Sequence, residues 1–386
     1  MDIAERPPHI MVAGKGSWLS DSNGRRYLDF VQGWAVNSLG HSPREVAEAA
    51  ALQARTLISC SPAYYNGPML ELAQLLTEHS GLDKVFFGSS GAEVNEGAIK
   101  LARKWGTKYR NGAFEIITLQ NSFHGRTLAT MSASGKPQWE PLFEPKVRGF
   151  TKVPINDIEA IEQAIDAGTV AIMLEPIQGE GGVIPATIEY LRALRALATR
   201  HGILLIVDEV QTGVGRTGEL FAFQRACIEP DIMTLGKGLG GGVPLAALLA
   251  RNEVSCFERG DQGGTFSGNP LMAAIGCAVF RTIADATFLQ GVVARGEYLC
   301  TGLRALSDEL QLGEVRGAGL LVALEIPDGN AEAIAVTAFA RGLLVNAPRS
   351  HILRFMPALN VSDAEIDTMI DLLRTAVLEN RRCEAI

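Results

Sequence analysis

Cysteine is sparse in this 386-residue chain and never clustered: Cys60, Cys227, Cys256, Cys277, Cys300 and Cys383 form no Cys-x-x-Cys pair and no short spacing to histidine. Neither a disulfide framework nor a zinc site is encoded, and no metal is expected. Long apolar runs are missing as well. No segment approaches the roughly 20 apolar residues of a membrane span, and residues 1–16, with Pro7 and Pro8, hold no stretch of the kind that opens a signal peptide. A cytoplasmic protein with reduced thiols is expected. Neither sign of charge gathers into a run; 35 Lys and Arg against 43 Asp and Glu leave a formal net charge of -8, which argues against a nucleic-acid partner. There is no internal repeat, no low-complexity tract and no linker rich in Pro or Ser. The absence of a Gly-x-Ser-x-Gly elbow and of a complete Walker A loop speaks against the common nucleophilic hydrolases and P-loop enzymes.

What the chain has is apolar mass in short pieces. Hydrophobic residues make up 47% of it, enough for a large buried core. Between residues 70 and 250, runs of strand length alternate with stretches of helical period, which predicts an α/β fold with a largely parallel sheet covered by helices. The strands are expected at 85–87, 114–118, 170–174, 203–207, 232–235 and 245–249. The run at 203–207 is apolar throughout, as a strand covered on both faces requires, and is the candidate for the sheet centre. Residues 16–30 alternate around Asn23-Gly24, a hairpin signal. Beyond 275, a long helical pattern, a strand near 320–326 and a helix from Asp363 predict a smaller α+β unit. The expected division is a segment 1–45 that joins the small domain, a large domain 46–275 and a small domain 276–386.

The central run ends in Asp208-Glu209, and ligands in open α/β sheets sit at the carboxyl ends of strands. A capping or surface acid is the plain alternative. The strand at 232–235 runs into Gly236-Lys237-Gly238-Leu239-Gly240-Gly241-Gly242, one lysine among five glycines. Alone, such a lysine reads best as solvated. Beside Asp208 the reading reverses: pyridoxal 5'-phosphate (PLP) chemistry needs a lysine for the cofactor's aldehyde carbon and a carboxylate that keeps its ring nitrogen protonated. PLP also carries a phosphate, and Gly88-Ser89-Ser90-Gly91-Ala92-Glu93 lies between a strand and a helix start, where free backbone N–H groups bind phosphate. Ser90 and Glu93 have capping-box spacing, and an ordinary capped helix is the equal alternative for that segment taken by itself.

Two other classes compete. Gly213-x-Gly215-x-x-Gly218 matches a dinucleotide fingerprint, but Asp208 to Thr212 separate it from its strand and no helix start follows, which disfavours a nicotinamide-dependent dehydrogenase. A catalytically silent PLP-fold protein would have lost Lys237 or Asp208; both are present.

Together the motifs resemble the class III (ornithine-type) aminotransferases over nearly the whole chain. The resemblance rests on Tyr27-Leu28-Asp29-Phe30, Ala35-Val36-Asn37-Ser38-Leu39-Gly40-His41, Ser90-Gly91-Ala92-Glu93, Phe123-His124-Gly125-Arg126-Thr127, Glu175-Pro176-Ile177-Gln178-Gly179-Glu180, Asp208-Glu209-Val210-Gln211-Thr212-Gly213 and Gly236-Lys237-Gly238. It implies the fold type I of PLP-dependent transferases and the PLP cofactor. It also implies that Lys237 carries PLP as a Schiff base, that Asp208 faces the pyridine nitrogen and that Gln211 approaches the phenolic oxygen. Gly91 and Ala92, with Ser90 at the helix start, would meet the phosphate, and Thr265 would add a hydroxyl from the neighbouring subunit of a homodimer. Phe123 would stack on the ring, Arg126 would clamp a substrate carboxylate, and His124 would pack or orient without moving a proton. Glu180 and Arg354 would pair while an amino donor reacts at its distal amine and part to admit the α-carboxylate of 2-oxoglutarate.

Within the family the chain resembles members that act on N2-acetyl-L-ornithine in arginine biosynthesis. Gly264 departs from their pattern, standing where serine or threonine is usual, so any substrate contact there is through backbone. Gly33 stands where enzymes for free ornithine carry a tyrosine. N-succinylornithine, N-succinyl-diaminopimelate, ornithine and 4-aminobutyrate stay open as donors.

Overall fold

Leu204–Asp208 is the middle strand of a seven-stranded sheet, and all five of its residues are buried. In the computed structural model, which describes residues 1, 3 and 6–384 (without the side chains of Cys383 and Glu384), the sheet runs Lys84–Gly88, Ala246–Ala250, Ile232–Leu235, Leu204–Asp208, Thr169–Leu174, Glu115–Leu119, Phe150–Val153. Pairing is parallel from Ile232–Leu235 to Phe150–Val153, while Ala246–Ala250 runs against both neighbours. Six strands stand where the apolar runs place them. The seventh, Phe150–Val153, gives no such run: it is an edge strand, Phe-Thr-Lys-Val, of which only Val153 is buried.

Because strand side chains alternate, the sheet feeds two apolar layers. Leu205, Val207, Ile172 and Met233 enter one; Leu204, Ile206, Met173 and Ile232 enter the other, where helix Gly91–Tyr109 packs. That helix buries Val94, Ala98, Leu101 and Ala102 and starts with the Ser90–Glu93 capping box, both halves of which are made.

The Asn23-Gly24 turn joins strands Trp18–Asp21 and Arg26–Asp29; Gly24 takes φ 80°, and Asp21 Oδ1 accepts from the N–H groups of Asn23 and Arg25 at 2.9 Å. Met11–Lys15 extends this hairpin, and Leu343–Leu344 completes the sheet by pairing parallel with Arg26–Asp29, so the first residues are bonded to the C-terminal part. A separate antiparallel sheet contains Val315–Ala318, Leu321–Glu325, Ile352–Phe355 and Asn346–Arg349, with helices Ala286–Leu310, Ala331–Ala340 and Asp363–Glu384 nearby. Residue 275 lies inside helix Pro270–Ile283, which packs on Arg44–Thr56 and Gly67–Ser80. Gly213 to Gly218 form turns, with no helix opening on them. Cys60, Cys227, Cys256, Cys277 and Cys300 are free thiols, and among the described residues no single helix is long and apolar enough to cross a membrane.

Gly106 tests the packing with a reversed sign. Alanine is the better helix former by about 1 kcal/mol, yet a Cβ at Gly106 would lie 1.9 Å from the Ala113 carbonyl oxygen. Gly106→Ala is expected to destabilise by roughly 2 kcal/mol or more, read as a lowered thermal midpoint; a raised midpoint would show that the helix does not sit this close.

Candidate active site

A cavity of about 250 Å³ opens where the parallel strands end, lined among others by Gly91, Ala92, Phe123, Arg126, Asp208, Gln211 and Lys237. Three backbone segments meet there at glycine distances. A Cβ on Gly91 would come within 2.8 Å of Val210 Cγ1, and one on Gly236 within 3.2 Å of the same atom, so the helix start, the turn after Asp208 and the turn before Lys237 close on one another. Ser90 Oγ accepts from Glu93 N–H, and Glu93 Oε2 accepts from the N–H groups of Ser89 and Ser90 at 2.6 and 2.8 Å. Gly91 and Ala92 N–H find no partner among the described residues.

Asp208, 3% exposed, ends the central strand. Its Oδ2 accepts from Asn95 Nδ2 and pairs with His124 Nδ1, each at 2.8 Å, and its Oδ1 accepts from Val210 N–H at 3.0 Å. Asn95 is fixed in turn: Nδ2 also donates to the His124 carbonyl at 2.8 Å, and Oδ1 accepts from Thr234 Oγ1 at 2.7 Å. His124 N–H donates to Ser134 Oγ. Burial works toward the neutral imidazole, but the hydrogen bond and charge of Asp208 outweigh it and raise the His124 pKa above its ordinary value. Glu175 Oε1 accepts from Phe123 N–H at 2.8 Å, and burial lifts its carboxyl well above the usual range despite the opposing pull of His124.

Lys237 follows its strand in a single tight turn with φ 40°, a left-handed conformation that costs a non-glycine residue about 1–3 kcal/mol. Burial first, then the charge of Arg354, push its ammonium down to about 8, with Glu180, Glu175 and Asp208 opposing. An amine so placed sheds its proton more readily than a solvated lysine.

Arg354 is fully buried on strand Ile352–Phe355. It donates to Glu180 Oε1 and Asn346 Oδ1, both at 2.7 Å, and reaches Gln211 Oε1 at 3.4 Å. Gln211 Nε2 is buried with no partner among the described residues. Glu180 Oε2 accepts from Lys136 Nζ at 3.0 Å. Burial raises the Glu180 pKa, but Arg354 and Lys136 overcome it and hold the carboxyl down to about 2. Arg126 is exposed, its guanidinium 5.9 Å from the Phe123 ring centroid and 5.3 Å from that of Trp139. Gly33 sits in a left-handed turn in which Gln32, Gly33, Trp34 and Ala35 have φ 48°, 60°, 66° and 64°, and Trp34 lies 5.8 Å from the Arg354 guanidinium.

Lys237, Asp208, Gln211, Phe123, Arg126, Gly91 and Ala92 therefore share one cavity, with the Glu180–Arg354 pair against it through Gln211. Ser90 spends its side chain on the helix cap. Gly264 and Thr265 stand apart, in an exposed stretch where Gly264 lines a different hollow with Tyr65 and Met69. Asn95, Glu175 and Lys136 are additions to the residues given a role in the sequence: Glu175 heads a motif there but carries no assignment, Asn95 left a signal as a polar residue on the buried face of its helix beside Val94 and Ala98, and Lys136 left none.

Asp208→Asn removes the hydrogen-bonded charge that raises the His124 pKa. The His124 pKa is expected to fall once that charge and hydrogen bond are gone, followed by NMR titration of the imidazole; an unmoved value would mean that Asp208 does not govern it.

Comparison with known proteins agrees with this geometry. Residues 2–377 match the family model for class III aminotransferases. The chain is 58% identical over 385 residues to acetylornithine aminotransferase 2 of Bordetella pertussis, covering 99% of this chain and 97% of the relative. It is 59% identical over 382 residues to the acetylornithine aminotransferase of Ralstonia nicotianae, covering 97% and 96%. Among solved structures, the ornithine aminotransferase of Toxoplasma gondii superposes with a TM-score of 0.94 at 31% identity, covering 98% of this chain and 93% of that one. The N-acetylornithine aminotransferase of Stenotrophomonas maltophilia gives 0.86 at 35%, with 98% of both chains covered. With the cavity, the Lys237 turn and these matches in agreement, the chain belongs to the class III aminotransferases, whose cofactor is pyridoxal 5'-phosphate.

Proposed function

We propose that this enzyme transfers the δ-amino group of N2-acetyl-L-ornithine to 2-oxoglutarate, giving N-acetyl-L-glutamate 5-semialdehyde and L-glutamate, a step of arginine biosynthesis. The observation that carries the reading is the 2.7 Å pair of Glu180 with buried Arg354 beside the Lys237 cavity, in a chain 58% identical to relatives named for that donor.

The residues suit the cofactor. Gly91 and Ala92 offer open N–H groups at the head of a 19-residue helix, the arrangement that takes a phosphate. The unpartnered Gln211 Nε2 is a donor for the phenolic oxygen, and Phe123 supplies a ring face. Bound there, PLP would act as an electron sink for the substrate carbon that loses a proton. Asp208, its two oxygens held by Asn95, His124 and the Val210 amide, would hold the proton on the ring nitrogen. Lys237 would anchor the aldehyde carbon and, once displaced, its Nζ would carry the proton that moves during transfer. Arg126, exposed and without an ion pair among the described residues, would take the donor's carboxylate through its planar fork of N–H groups.

Arg354 serves the second substrate. While the donor reacts, Glu180 occupies the arginine; when 2-oxoglutarate enters, Arg354 turns to its α-carboxylate. In a homodimer, Thr265 would add its hydroxyl to the neighbouring subunit's site, a reading supported by its exposure, and by Gly264 beside it lining a hollow other than the Lys237 cavity. Residues 1–45 and 276–386 would form the smaller domain, against 46–275.

Lys237→Ala is expected to abolish turnover and the yellow colour of covalently held cofactor; a variant that stayed active and normally coloured would sink the assignment. The donor is read by adding each amine to the PLP form and timing the spectral change. Acetylornithine should react fastest, and fast reaction with 4-aminobutyrate but none with acetylornithine would reassign it.

A further inference from the structure

We propose that Lys136 is a positioning residue for the acceptor: by holding Glu180 after Arg354 leaves, it lowers the cost of freeing the arginine for 2-oxoglutarate. The inference rests on the Arg354 exchange proposed above.

The geometry divides Glu180 between two cations. Arg354 Nη2 takes Oε1 at 2.7 Å and Lys136 Nζ takes Oε2 at 3.0 Å, so neither competes for the other's oxygen. Lys136 is held independently of Arg354. Its ammonium lies 4.8 Å from the Phe123 ring centroid and 5.2 Å from that of Trp139, two aromatic faces that attract a cation. Its side chain is 16% exposed and that of Glu180 22%, so water screens the pair only in part. Arg354 also donates twice to Asn346, which is neutral, leaving Glu180 as the one carboxylate among the described residues in direct contact with it.

Consider Arg354 turning away. A mostly buried carboxylate left with no partner is expensive, and that cost would be charged against every acceptor that binds. With Lys136 in place, Glu180 keeps a charged hydrogen-bond donor on its other oxygen. Without it, Glu180 would grip Arg354 as its sole cation and resist the exchange. The donor half-reaction, in which the Glu180–Arg354 pair stays closed, asks nothing of Lys136. The predicted signature is therefore one-sided.

The test uses the holoenzyme and two readouts: KM for each substrate, and binding of glutarate, a dicarboxylate with no keto group, by calorimetry. Lys136→Met should raise the KM for 2-oxoglutarate and the Kd for glutarate roughly tenfold, the range for a partly buried pair, with the donor KM within about twofold because that state keeps the Glu180–Arg354 pair closed. Lys136→Arg should restore both. In a Glu180→Gln background, Lys136→Met should change neither, since no carboxylate remains to be held. An equal loss on donor and acceptor, or an acceptor effect that persists in that background, overturns the role of Lys136. The exchange itself is judged separately: Glu180→Gln alone should tighten glutarate relative to the donor, and an equal effect on both would overturn the exchange and the inference built on it.

Discussion

The structure is organised around a single buried carboxylate. Asp208 sits at the end of the central strand, 3% exposed, where an ion without partners could not persist. Its donors come from three places: Asn95 in the helix that covers one face of the sheet, His124 in the turn after Glu115–Leu119, and the Val210 amide in its own turn. Satisfying one charge thus sets the angle of a helix, the path of a loop and the start of a turn together. Thr234 carries the same constraint onto the neighbouring strand through Asn95, and three residues further on stands Lys237.

Close backbone approach does the complementary work. Val210 touches the sites where Gly91 and Gly236 lack a side chain, so the segments bearing the open N–H groups, the carboxylate and the lysine are packed against one another. The cavity is what remains between them. Its charges are graded by surroundings: Lys237 is lowered by burial and by Arg354, Glu175 is raised by burial, and Glu180 is kept ionised by two cations.

Much of this is legible in the sequence because the informative residues end apolar strands or begin a helix. Asp208 and Lys237 each close or follow a short buried run, and the Ser90–Glu93 box announces the helix that begins just past the turn after strand Lys84–Gly88. Other features depend on partners distant in the chain. Lys136 and Glu180 are 44 residues apart and Asn95 and Asp208 are 113 apart, and no local pattern marks either pair. The edge strand Phe150–Val153 escapes for a different reason: with one face in water it needs little apolar content, so composition does not separate it from a loop. Arg354 reads from sequence as a solvated charge unless the family resemblance is applied, because nothing near it in the chain announces that Glu180 and Asn346 await it.

The closure of the N-terminal sheet has a consequence for biosynthesis. Arg26–Asp29 completes its sheet only by pairing with Leu343–Leu344, and Ser17 and Trp18 bond to Glu365, so the earliest strands wait for about 300 further residues to leave the ribosome. At roughly 5–20 residues per second the wait lasts some tens of seconds. During that time Tyr27, Leu28 and Phe30, all fully buried at the end, are without their final cover. The last cover over these side chains is therefore a late event of synthesis, its timing set by topology, whatever the final stability of the enzyme.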